Sequence, residues 1–112
     1  VTGVIRPVAF ALALALAPGC ATLEGYRHFQ LGTAALDRGD LARAVVELEL
    51  AGRLAPERSE IFNHLGIAYA ASGRPQEALS AFERAVALDC DNREAAANLA
   101  AARSRLPVAE AR

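Results

Sequence analysis

Two histidines, two cysteines and a pair of closely spaced glutamates are the residues of this 112-residue chain best suited to chemistry. A metal site or a redox dithiol needs ligands at short, regular spacing, and Cys20 and Cys90 are far apart. Neither His28 nor His64 has a cysteine at ligand spacing. Nucleophilic or acid–base catalysis needs a Ser-His-Asp, Cys-His or paired-carboxylate group converging on one wall, and no such arrangement can be assembled. Glu47 and Glu49 are two apart, so on a helix they point to different sides, and Glu47 reads as one of several solvated charges. The expectation is a protein that is not an enzyme, with no cofactor, no metal and no catalytic residue. His64, beside Asn63, could respond to pH near neutrality, with an ordinary surface histidine as the simpler reading.

One cysteine has a different kind of context. Arg6 is the only charged residue before Glu24, and the ten residues Val8–Ala17 are apolar. That run is too short for a membrane span, which takes about 20 residues, and fits the core of an export signal. Small residues and Cys20 follow, in "LAPGCA". This resembles the lipobox of bacterial lipoproteins, in which cleavage precedes a cysteine that becomes lipidated. Gly19 and Cys20 agree with that pattern; Ala17 replaces its usual Leu, and Pro18 is unusual. The resemblance implies residues 1–19 as a signal peptide, lipidation at Cys20, a tether over 20–25, and anchoring to a membrane through the lipid. With Ala21 rather than Asp next, it implies an outer-membrane lipoprotein facing the periplasm. Cleavage as an ordinary signal, giving a soluble periplasmic or secreted protein, and an uncleaved anchor are the alternatives. Without lipid, Cys20 is also available for a disulfide with Cys90, and Cys90 alone for one between molecules.

Charge limits the partners. Twelve Arg, no Lys and thirteen acidic residues are scattered along the chain and sum to −1. No basic stripe tracks a phosphate backbone, so no nucleic-acid binding is expected. Abundant Ala, Leu, Arg and Glu favour helix.

The organising feature is a repeat of 34 residues. Leu31 falls on Leu65 and Leu99, Gly32 on Gly66 and Ala100, and Gly39 on Gly73. Ala44 falls on Ala78, Leu48 on Phe82, Ala51 on Ala85, Leu54 on Leu88, and Pro56 on Cys90. Glycine inside a helix costs about 1 kcal/mol against alanine, so Gly32 and Gly66 at one phase imply a close approach, for which Ala44 and Ala78 are the small partners. Gly39 and Gly73 stand where a first helix must stop, and Pro56 where the next must be broken off. Leu41, Ala44, Val45 and Leu48 have the spacing of one buried helix face.

The second copy, with Phe62, Leu65, Gly66, Tyr69, Ala78, Phe82 and Ala85, resembles a tetratricopeptide repeat. The first copy is looser, with His28 in the place of the family's Trp and Ala35 in that of its Tyr. His28 thereby takes a packing position. The resemblance implies an all-α helix-turn-helix solenoid: one repeat over 26–58, a second over 59–92, a capping helix over 93–106 and a tail over 107–112. Asp91 with Glu94 reads as a capping box at the start of the last helix.

Such stacks bind a protein or peptide on the concave face of their first helices. Carried onto this sequence, the inward places are Tyr26, Phe29 and Thr33, then Glu60, Asn63, His64 and Ile67, then Glu94, Ala97 and Asn98. The Lys and Asn clamp for a peptide carboxylate seen in chaperone-binding members is absent, with Phe29 and Thr33 in its places. The functional expectation is a membrane-anchored scaffold that holds a partner segment in an envelope complex. The alternative is an assembly subunit whose short stack is completed by docking or dimerisation, without a free groove. The oligomeric state is left open by the sequence.

Overall fold

The computed structural model describes residues 2–3 and 19–106. The apolar run at 8–17, most of the expected signal peptide over 1–19 and the tail at 107–112 lie outside the described residues. Five helices follow in order: α1 (Gly19–Asp37), α2 (Leu41–Leu54), α3 (Ser59–Ala71), α4 (Pro75–Leu88) and α5 (Arg93–Arg105). Among the described residues there is no strand. The helices pair as α1 with α2 and α3 with α4, and α5 lies against α4 and α3. This is the all-α helix-turn-helix stack expected from the repeat, two pairs and a further helix.

The turns within each pair are built alike. At the end of α1, Gly39 (φ 75°) donates to the Leu36 carbonyl at 3.0 Å and Asp40 N–H to that of Ala35 at 2.9 Å. At the end of α3, Gly73 (φ 73°) donates to Ala70 at 3.2 Å and Arg74 to Tyr69 at 2.9 Å. Both form the paired closure that satisfies the last carbonyls of a helix, and both place glycine where a left-handed conformation is required.

The next helix starts differently in each repeat. Asp40 caps α2, its carboxylate accepting from Arg43 N–H at 3.3 Å. Asp40→Ala is therefore expected to cost about 1 kcal/mol, read as a lowered melting midpoint with unchanged helical content at low temperature. In α4, Pro75 stands in the first turn, where a missing N–H is harmless, and Arg74 reaches Glu77 instead. That hydrogen bond holds the Glu77 carboxyl below its ordinary range.

The core is mostly small. Ala35, Ala44, Ala51, Ala55, Ala68 and Ala85 are completely buried, and Leu48, Ile61, Leu65, Tyr69, Phe82 and Leu99 supply the bulk. The two interior glycines explain how helices of such a core come close enough. A Cβ at Gly32 would lie 2.6 Å from Leu48 Cγ, and one at Gly66 would lie 2.5 Å from Phe82 Cε1. The close approach is thus of glycine to the large residue of the facing helix rather than to Ala44 or Ala78.

Three expectations are corrected. Residues 20–25 are not a loose tether: α1 already runs through them, and Gly25 is buried because a Cβ there would sit 3.1 Å from that of Ala55. The cap of α5 is not the Asp91–Glu94 box but Asn92, whose side chain accepts from Ala95 N–H at 3.0 Å. Asp89 takes the Asp91 N–H at 2.9 Å, leaving Asn92 as the last residue before the helix. Asn92 also donates to Ser59 Oγ at 2.8 Å, and Ser59 donates to the Ala85 carbonyl at 2.7 Å, so one hydroxyl ties α3, α4 and the start of α5 together. Third, Glu47 is not a solvated charge. Its side chain is 13% exposed and lies 2.7 Å from His28 Nδ1.

Tyr69 is the other polar tie between pairs. Its hydroxyl donates to Glu49 at 2.6 Å, and the Arg74 guanidinium lies 4.5 Å from its ring centroid. Burial first, then the hydrogen bond and the charge of Glu49, push its pKa up to about 12. The folded state thus holds this proton more tightly than the unfolded chain does. Its contribution to stability is complete below about pH 10 and lost as the pH rises toward 12. In a Tyr26→Phe background, where Tyr69 is the remaining tyrosine, phenolate absorbance is expected to rise with a midpoint near 12 in the folded protein.

Candidate interaction face

Which side of the stack is concave follows from helix neighbours. Among the described residues, α1 touches α3 and α3 touches α5, whereas α2 and α4 do not meet. The stack therefore curves toward the odd-numbered helices, and the residues expected to face inward lie on those helices.

The structure brings several of them together, but with each other. Phe29 is half-buried, packs against the core, and meets the His64 ring edge-on at 5.1 Å between centroids. His64 Nδ1 lies 2.9 Å from the Glu60 carbonyl, and the Glu60 carboxylate pairs with Arg58. Asn98 donates to Asn63 Oδ1 at 2.9 Å, and Asn63 is only 2% exposed. Phe29–His64 joins α1 to α3, and Asn63–Asn98 joins α3 to α5. An amide committed across a helix junction gives up its freedom to pair with a peptide backbone. Asn63 is therefore taken up in the stack.

The others remain at the surface. Tyr26 is 44% exposed, Glu94 is exposed, and Thr33 and Ile67 are half-buried. Thr33 donates to the Gln30 carbonyl of its own helix at 3.0 Å. Away from this face, Cys20 and Cys90 are both exposed free thiols. Among the described residues no group of His, Cys, Asp and Glu could hold a metal ion, and no helix is long and apolar enough to cross a membrane.

Sequence reasoning missed a cleft of about 420 Å³ on this face, between α3 and α5 with α4 beneath. Ile67, Ala70 and Ala101 form its walls, Phe82 its floor, and Asn98 and Arg105 its polar edge. The signal was present in the repeat. Shifted by 34, Ala70 falls on Leu36, Ala101 on Ile67 and Arg105 on Ala71, so the second junction has lost two large side chains and gained a cation.

The fold is an all-α stack of helix-turn-helix pairs of the tetratricopeptide type, and tetratricopeptide repeats as a class are protein–protein interaction modules. Residues 59–92, the second helical pair with its flanking turns, match the family profile described as "Tetratricopeptide repeat". The chain is also similar to Superkiller protein 3 of Schizosaccharomyces pombe (strain 972 / ATCC 24843), at 39% identity over 67 residues. That similarity covers 60% of this chain and only 5% of the relative's length.

Proposed function

We propose that the chain is a membrane-anchored periplasmic interaction module, which holds a segment of a partner protein on the face formed by α1, α3 and α5. The observation that carries this reading is the cleft of about 420 Å³ on that face, which remains open although the neighbouring side chains of Phe29, His64, Asn63 and Asn98 pair with one another. Anchoring rests on the "LAPGCA" sequence and on Cys20 being exposed in the first turn of α1, where an attached lipid would not disturb packing. Several acyl chains on one residue supply the stable anchoring that a single chain does not. An outer-membrane position and a role in assembling an envelope complex extend the same reading.

Two experiments in a bacterial host test it. Radiolabelled palmitate should enter the protein and be lost in Cys20→Ala; label in neither rules out the anchor. Photo-crosslinking residues placed at Thr33 or Glu94 should capture a partner, while those at Arg53 or Glu83 should not. Capture confined to Arg53 and Glu83 would exclude the concave face.

A second reading has its own observation. On α1, Leu23 is 68% exposed, Tyr26 44% and Leu31 36%, an apolar edge at the N-terminal end of the stack. An assembly subunit completed by docking or dimerisation would cover that edge. Sedimentation over a wide concentration range, with Leu23→Glu alongside, distinguishes a self-associating chain from a monomer.

A further inference from the structure

We infer that the cleft between α3 and α5 receives a bulky aliphatic or aromatic side chain of an extended partner peptide, with a carboxylate close by that pairs with Arg105. The inference rests on the interaction-module reading and names the chemistry of its partner.

The cleft is particular to this junction. At the first junction the equivalent space is occupied: Leu36 and Ile67 are half-buried and packed against the core. At the second, Ala70 and Ala101 stand in those places, both exposed, and leave the half-buried Ile67 side chain open to the cleft, with the Phe82 ring, itself 4% exposed, beneath it. An opening with an aromatic floor and alanine walls excludes charge and rewards a large apolar group.

Arg105 is the only charged residue among those lining the cleft, and it forms no ion pair among the described residues. The neighbouring Arg103, by contrast, is engaged by Glu83 at 3.7 Å. A guanidinium at the edge of an apolar site favours a carboxylate, which it can hold with two parallel hydrogen bonds. Asn98 adds an amide at the same edge, with one donor already committed to Asn63. The combination selects an apolar side chain next to an acid, and disfavours a basic peptide.

The test is selection of a displayed library of short random peptides on the full chain, followed by affinity measurements on the enriched sequences. Enriched peptides should carry Leu, Ile, Phe or Trp within two positions of Asp, Glu or a free C-terminus. Ala101→Ile and Ala70→Leu restore the side chains of the first junction, so they should keep or raise the melting temperature while weakening binding about tenfold or more. Arg105→Ala should weaken the acidic peptides about five- to tenfold and leave their Asn or Gln counterparts unchanged.

No enriched peptide, or peptides indifferent to both alanine replacements, overturns the inference. If those same peptides are lost on Thr33→Arg or Glu94→Arg, the concave-face reading survives without the cleft. Loss only on substitution of Arg53 or Glu83 sinks both. A chain ending at Leu106 that binds the peptides about tenfold more tightly would assign the cleft to residues 107–112 and overturn the partner. A chain that is dimeric until Ala101→Ile is introduced would assign it to a second copy, with the same consequence.

Discussion

Phe82→Ala is expected to remove about 3–5 kcal/mol of stability, the range for deleting a buried aromatic ring. The ring is 4% exposed and occupies the hollow left by Gly66, whose absent Cβ would lie within 3 Å of three of its carbons. Collapse into the space is limited, because much of the surrounding core is alanine: Ala68, Ala78, Ala81 and Ala85 are all buried and have no side-chain torsion to adjust. A domain of this size has about 5–15 kcal/mol in total, so the loss takes most of the margin at the lower end of that range. Urea denaturation should show a much lower midpoint at an unchanged slope. Phe82→Leu should cost far less, because Leu48 performs the same task against Gly32 in the first repeat. A loss below about 1 kcal/mol for Phe82→Ala would mean that the second pair is held by something other than this ring.

The helical pairs, their turns and the phase of the glycines were legible because each is a local or periodic property. Gly39 and Gly73 announce a left-handed residue by their type alone, and the repeat aligns Leu48 with Phe82 without any structure. What was not legible depended on which of two neighbours wins a shared partner. Asp91 and Glu94 have the spacing of a capping box, yet Asn92 takes the cap because Asp89 draws the Asp91 N–H into the preceding turn. Glu47 looked solvated because one helix face was considered, whereas His28 meets it from α1. Asn63 and Asn98 meet across the α3–α5 junction, but their mutual hydrogen bond spans two helices and has no sequence signal beyond a separation close to the repeat. The cleft differs again: its signal is the loss of bulk at Ala70 and Ala101 against Leu36 and Ile67, visible only when repeats are compared for size instead of similarity. The apolar run of the leader falls outside the described residues, so the case for the anchor rests on the sequence around Cys20 and on the exposure of that residue at the start of α1.

Gly66→Ala should lower stability in the intact protein and raise it once Phe82 is gone, a reversal of sign that few other mechanisms produce. In the intact protein a Cβ 2.5 Å from Phe82 Cε1 and 2.6 Å from Cδ1 forces the ring or helix α3 to move. Such overpacking costs about 1–3 kcal/mol, occasionally more. Replacing glycine by alanine inside a helix returns about 1 kcal/mol, leaving a net loss of up to about 2 kcal/mol. In the Phe82→Ala background the ring is absent, and the methyl enters the vacated space. Only the helical gain and some refilling of the cavity remain, so the same substitution stabilises by about 1 kcal/mol. The coupling between the two positions is therefore about 1–3 kcal/mol, within what residues in contact display. A stabilising osmolyte can keep the Phe82→Ala proteins folded enough for the comparison. Additive effects would show that α3 and α4 adjust their separation freely, in which case Gly66 is not what sets how closely they pack. Gly39→Ala provides the contrast, since nothing lies within 4 Å of its Cβ position and its φ is 75°. Its cost of about 1–2 kcal/mol comes from the backbone alone and should be the same whichever residue stands at position 82.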